Sequence, residues 1–77
     1  MDLKNLEPIR VLFIESWDST REVRWYMQVR GRELFVYNKR ILVKRLNSDD
    51  AVRFFAGVEF PHGGGRRVRF LGRIESE

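Results

Sequence analysis

The chain has 77 residues, 15 Lys/Arg against 11 Asp/Glu, a net charge of +4 and a pI near 10.1. It contains no Cys and a single His, His62, which excludes disulfides and leaves too few ligands for a closed zinc site. It reads as one domain, residues 1–77, whose small core depends on close packing or on self-association.

The composition, 43% hydrophobic and 13% aromatic, is that of a globular chain rather than a disordered one. Apolar runs end at four residues, as in Val11–Ile14, far short of the ~20 that cross a bilayer. No basic stretch followed by an apolar one opens the chain. The expectation is a cytoplasmic protein with no cofactor and no membrane contact. The charge is unevenly spread. Residues 21–45 carry eight Lys/Arg against two Asp/Glu, and residues 66–77 four against two, while the intervening blocks are net acidic. Arg outnumbers Lys twelve to three, and the guanidinium fork suits phosphate and carboxylate recognition.

In chain order, Pro8 keeps the lead-in extended. "IRVLFIESW" (9–17) is rich in β-branched and aromatic residues with apolar side chains on both faces, which predicts a strand covered on both sides or central in a sheet. "DSTR" (18–21) is a turn cluster. "EVRWYMQVR" (22–30) alternates: Val23, Trp25, Met27 and Val29 on one face, Arg24, Tyr26, Gln28 and Arg30 on the other, the pattern of a half-buried antiparallel strand. "GR" (31–32) turns the chain into "ELFVY" (33–37). "NKR" (38–40) turns it again into "ILVKRL" (41–46), completing a four-stranded meander.

The period then changes. Ala51, Phe54, Phe55 and Val58 fall on one helical face, with Ser48 as N-cap, Asp49 and Asp50 in the first turn and Gly57 as C-cap. "PHGGG" (61–65) is expected to be a loop. "RRVRFLGRIES" (66–76) reads as a last strand, with Val68, Phe70 and Ile74 against Arg67, Arg69, Leu71 and Arg73, and a bulge at Gly72. The fold expected is α+β: a small, strongly bent, barrel-like antiparallel sheet of about five strands with one short helix. Its core would be Val11, Phe13, Val23, Trp25, Met27, Leu34, Val36, Leu42, Phe54, Phe55, Val68 and Phe70.

The run "RWYMQVRGRELFV…NSDDAVRFF", through Trp25, Gly31, Ala51 and Phe54, resembles the three-strand-plus-helix DNA-binding domains of plant AP2 type and of phage integrase arms. The resemblance covers about 32 of the 77 residues. The chain departs from that pattern by a strand between hairpin and helix, by a strand at each end, and by a shorter helix.

Three motifs bear on chemistry. "HGGGRR" lacks the Lys-Ser/Thr and the following helix of a phosphate-binding loop, so a hairpin connection is the better reading than an anion-binding nest. His62 has no nucleophile spaced to pair with it and reads as a solvated loop residue. Asp49 and Asp50 are adjacent on a helix and suit capping better than metal binding. No catalytic set emerges, and the chain is expected not to be an enzyme.

The strongest functional signal is basic. Arg24, Tyr26 and Arg30 share one face of their strand, and Arg67, Arg69 and Arg73 one face of theirs, with Arg66 adjoining. Lys39, Arg40, Lys44 and Arg45 could extend the set. If both strands present the same side of one sheet, they form a platform of phosphate-binding forks around a stacking ring. The sequence thus points to a small non-enzymatic module that binds the phosphate backbone of DNA or RNA. The alternative is a small adaptor or inhibitor, of the phage or plasmid accessory type, that docks on a larger acidic protein or nucleoprotein complex.

Overall fold

The computed structural model describes residues 6–74. Six strands and one helix follow in order: β1 (Glu7–Ser16), β2 (Ser19–Arg30), β3 (Glu33–Asn38), β4 (Ile41–Leu46), α1 (Ser48–Phe55), β5 (Phe60–Gly63) and β6 (Arg66–Arg73). All pairings are antiparallel, and the strands lie side by side as β4-β3-β2-β1-β6-β5 in one strongly curled half-barrel. The meander and the helix follow in the expected order, but the first turn falls at Trp17 and Asp18, so Ser19, Thr20 and Arg21, expected in a turn, open β2.

The sixth strand is β5, within the stretch expected to be a loop. Pro61 argues against a central strand, because it has no N–H to give a ladder. On an edge strand that donor is not needed, and β5 is an edge. The turn from β5 to β6 is made by Gly64 and Gly65, with φ of 62° and 77°. Two consecutive positive φ values define the hairpin turn that matches strand twist. The glycines therefore serve the hairpin.

β1 is central, pairing with β2 on one side and β6 on the other. This accounts for its apolar residues on both faces. Ile9, Val11 and Phe13 enter the main core with Trp25, Met27, Leu34, Val36, Leu46, Phe54, Phe60 and Val68. Val23 and Phe70 are partly buried against that cluster. Leu6, Ile14 and Tyr37 are buried outside it.

Two expected core residues are not buried: Leu42 is 47% exposed and Phe55 38%. Leu42 stands opposite Tyr37 while Lys44 stands opposite Val36, so a bulge at Val43 turns Leu42 away from the core and Val43 packs in its place. Ile9, Leu46 and Phe60 fill core positions not anticipated from the sequence.

The helix cap stands one residue earlier than expected. Asn47, not Ser48, is the N-cap, its side chain accepting a 2.8 Å bond from the Asp50 N–H. At the other end Gly57 donates to Phe54 and Val58 to Arg53, the paired bonds of a Schellman stop. Phe54 is the helix's buried residue, with ring contacts to Phe60 at 6.1 Å and Phe70 at 5.2 Å. Emptying such a site typically costs about 3–5 kcal/mol.

The curl brings the two edge strands together. Lys44 Nζ on β4 donates to the Pro61 carbonyl on β5 at 3.2 Å and lies 5.6 Å from the Phe60 ring centroid. Below this seam α1 packs against β3, β4 and β6. The side of the sheet facing the helix is the concave face, and the other is the convex face.

Candidate nucleic-acid interface

Register decides which side chains share the convex face. Arg10 on β1 stands opposite Arg24 on β2, and Leu12 opposite both Glu22 on β2 and Arg69 on β6. Ile14 stands opposite Arg67, and Pro8 opposite Tyr26. Directly opposed residues point to the same side of a sheet. Arg24, Tyr26, Arg30, Arg67 and Arg69 therefore lie on one face, joined through β1. Arg10 between the two strands and Arg45 on β4 belong to the same face, Arg45 through its position opposite Phe35.

Two of the expected site residues lie elsewhere. Arg73 stands opposite the core residue Ile9 and pairs with Glu7 at 2.8 Å on the concave side. The register slips between Arg10 and Val11 on β1, leaving Leu71 as the extra residue on β6. Gly72 in that bulge has φ 156°, a conformation side chains rarely allow, and the bulge reverses the alternation for everything after it. Arg66 also turns inward: its guanidinium lies 5.8 Å from the centroid of the core ring Phe13, and its Nε donates to the Gly63 carbonyl at 3.0 Å. Lys44 is likewise on the concave side, at the seam.

The convex face is not a uniform positive surface. Arg10 makes two bonds to Glu22, at 2.8 and 3.1 Å, and Arg45 makes two to Glu33, at 2.7 and 3.0 Å. Arg67 Nε reaches Glu59 at 2.9 Å. The bidentate hydrogen bond from Arg10 holds the Glu22 carboxyl below its ordinary pKa, and that from Arg45 does the same for Glu33. These exposed pairs orient their guanidiniums and are open to competition from another anion.

Arg30 and Arg45 both lie over the Phe35 ring, at 4.8 and 5.6 Å from its centroid. Arg69 is half-buried near the middle of the face, and no carboxylate pairs with it among the described residues. Forks set around Tyr26 and over Phe35 can hold phosphates while the Tyr26 ring offers a face to a base. Phe35 was not singled out from the sequence. Its polar-side position in the β3 alternation is the signal that marks it.

His62 is not the freely solvated loop residue expected. It lies on β5, with its ring 5.5 Å from that of Phe13 and 5.3 Å from that of Trp25. Burial, and then the charges of Arg66 and Lys44, lower its pKa, so it is neutral at pH 7.

Among the described residues no cluster of His and carboxylates could hold a metal ion, and no helix is long and apolar enough to cross a membrane. The chain matches no protein-family model, no curated protein and no solved structure.

Proposed function

We propose that this protein is a small nucleic-acid-binding module that holds the phosphate backbone on the convex face of its sheet. The observation that carries the reading is the register of β1 with both β2 and β6, which gathers Arg24, Arg30, Arg67 and Arg69 on one side with Tyr26 and Phe35 among them. Arg10, Arg45 and Arg67 pair with Glu22, Glu33 and Glu59, while Arg30 and Arg69 add charge that no salt bridge among the described residues offsets. The longest dimension of the molecule, 35 Å, is about one turn of duplex.

Several phosphates held at once predict a log–log salt slope of about −2 or steeper. The test is fluorescence anisotropy with single- and double-stranded DNA and RNA across a salt series. The double variant Arg67→Glu, Arg69→Glu is expected to weaken binding about tenfold or more for every sequence, with a shallower salt slope. Unchanged affinity in that variant removes this face as the site.

A second reading, docking on a larger protein, is favoured by a different observation. Val29, Val52 and Phe55 are exposed around a groove of about 190 Å³ between the β2–β3 hairpin and α1. A stoichiometric protein partner that survives nuclease treatment would support it.

A further inference from the structure

On the concave face, between the β4–β5 seam and the β1–β2 hairpin, lies a cavity of about 350 Å³. That volume is at the small end of the range for ligand sites. Phe13, Trp25 and His62 form its aromatic side. Arg21 from β2 and Arg66 from β6 supply the charge, and Arg24 reaches it where β2 runs past the end of β3. Both Arg21 and Arg66 lie over the same Phe13 ring, at 5.2 and 5.8 Å from its centroid.

No carboxylate lines the cavity, and none pairs with Arg21 or Arg66 among the described residues. On the convex face three glutamates sit among the arginines. Here Arg21 and Arg66 share one recess with no carboxylate in its lining. Like charges lining one recess repel, and a bound anion relieves the repulsion. Arg66 is already oriented, since its Nε is fixed on the Gly63 carbonyl, which leaves the two terminal nitrogens to donate.

We propose that this cavity is a second binding site, distinct from the convex face, that takes a phosphate monoester through the forks of Arg21 and Arg66 with His62 beside them. The phosphate could be that of a free nucleotide or the 5′ end of a strand. The groups facing His62 are Arg21 and Arg24 from β2, Lys44 from β4 and Arg66 from β6, all cationic. Burial first, and then the charges of Arg66 and Lys44, keep the imidazole neutral while the site is empty. A phosphate reverses the sign of the local field, so binding draws a proton onto His62.

The test uses the Trp17→Phe protein, which leaves Trp25 at the cavity as the only tryptophan reporter. Inorganic phosphate, AMP, and a short oligonucleotide with or without a 5′-phosphate are titrated at low salt. Saturable change in Trp25 emission is expected with the phosphate monoesters, weakened at least tenfold by Arg21→Gln, Arg66→Gln. Preference for AMP assigns the site to free nucleotides. Preference for the 5′-phosphorylated over the 5′-hydroxyl strand assigns it to strand ends.

Lowering the pH from about 7.5 to about 5.5 should favour binding to this protein relative to its His62→Phe counterpart, which keeps the ring contacts but cannot take the proton. The phosphate's own titration is common to both proteins and cancels in the ratio. Amide shift mapping on the unmutated protein should move Phe13, Arg21, His62 and Arg66. No saturable response up to about 10 mM phosphate or AMP, or equal affinity in the Arg21/Arg66 variant, overturns the proposal. The charge-reversed Arg67/Arg69 protein should respond normally, so failure of the convex face and failure of this site are read separately.

Discussion

Single residues carry much of the geometry described above. Lys39, in the turn between β3 and β4, is the one described non-glycine residue with positive φ, 58°. A side chain there costs roughly 1–2 kcal/mol against glycine, part of which glycine returns through its freer unfolded state. Lys39→Gly should therefore stabilise the protein by about 0.5–1 kcal/mol, seen as a higher denaturation midpoint with an unchanged m-value. If nucleic-acid affinity were to fall along with it, Lys39 would belong to the interface. His62 teaches a different lesson at this scale. Its neighbours in sequence are Pro61 and Gly63, which suggest an exposed loop. Its neighbours in space are Phe13 and Trp25, about fifty and forty residues earlier in the chain. No local pattern could have placed it between those rings.

At the scale of elements, what is local was legible. The alternation of Val23, Trp25 and Met27 placed β2 and its buried side, and the spacing of Ala51, Phe54 and Phe55 placed α1, because period follows directly from backbone geometry. The bulges were not legible to the same degree. A glycine at 72 signalled an irregularity, but its consequence, that Arg73 crosses to the concave side and meets Glu7, depends on where β1 takes up the shift. The same holds for Leu42 and Val43 on β4. Whether β2 and β6 present their arginines to one side was likewise beyond local reading, since the two strands never touch and the answer passes through β1. The helix ends rest on short-range chemistry and can be tested directly. Asn47→Ala removes the acceptor for the Asp50 N–H and should lower stability by about 1 kcal/mol. Ser48→Ala should change it much less, because Asn47 already provides the cap. An equal loss in both would return the capping role to Ser48.

At the scale of the whole molecule, one sheet presents two differently built basic surfaces. The convex one is broad, with carboxylates between its arginines. The concave one is a small recess without them. The aromatic residues are shared between them: Tyr26 and Phe35 outside, Phe13, Trp25 and His62 inside. Holding both surfaces together is the central strand β1, and its position has a consequence for how the chain comes into being. β1 acquires one partner at once, from the hairpin that follows it, but its other partner is β6, some fifty-five residues away at Phe13–Val68. During synthesis the apolar run Val11–Ile14 must wait with one hydrogen-bonding edge open until residues 66–73 have emerged. An open apolar edge of this kind invites pairing with another chain. A chain released at residue 65 should therefore associate through β1 and sediment as aggregates, while the same fragment supplied with a peptide spanning residues 66–74 should stay dispersed; a monomeric, folded fragment without the peptide would mean that β2 and the helix suffice to guard that edge.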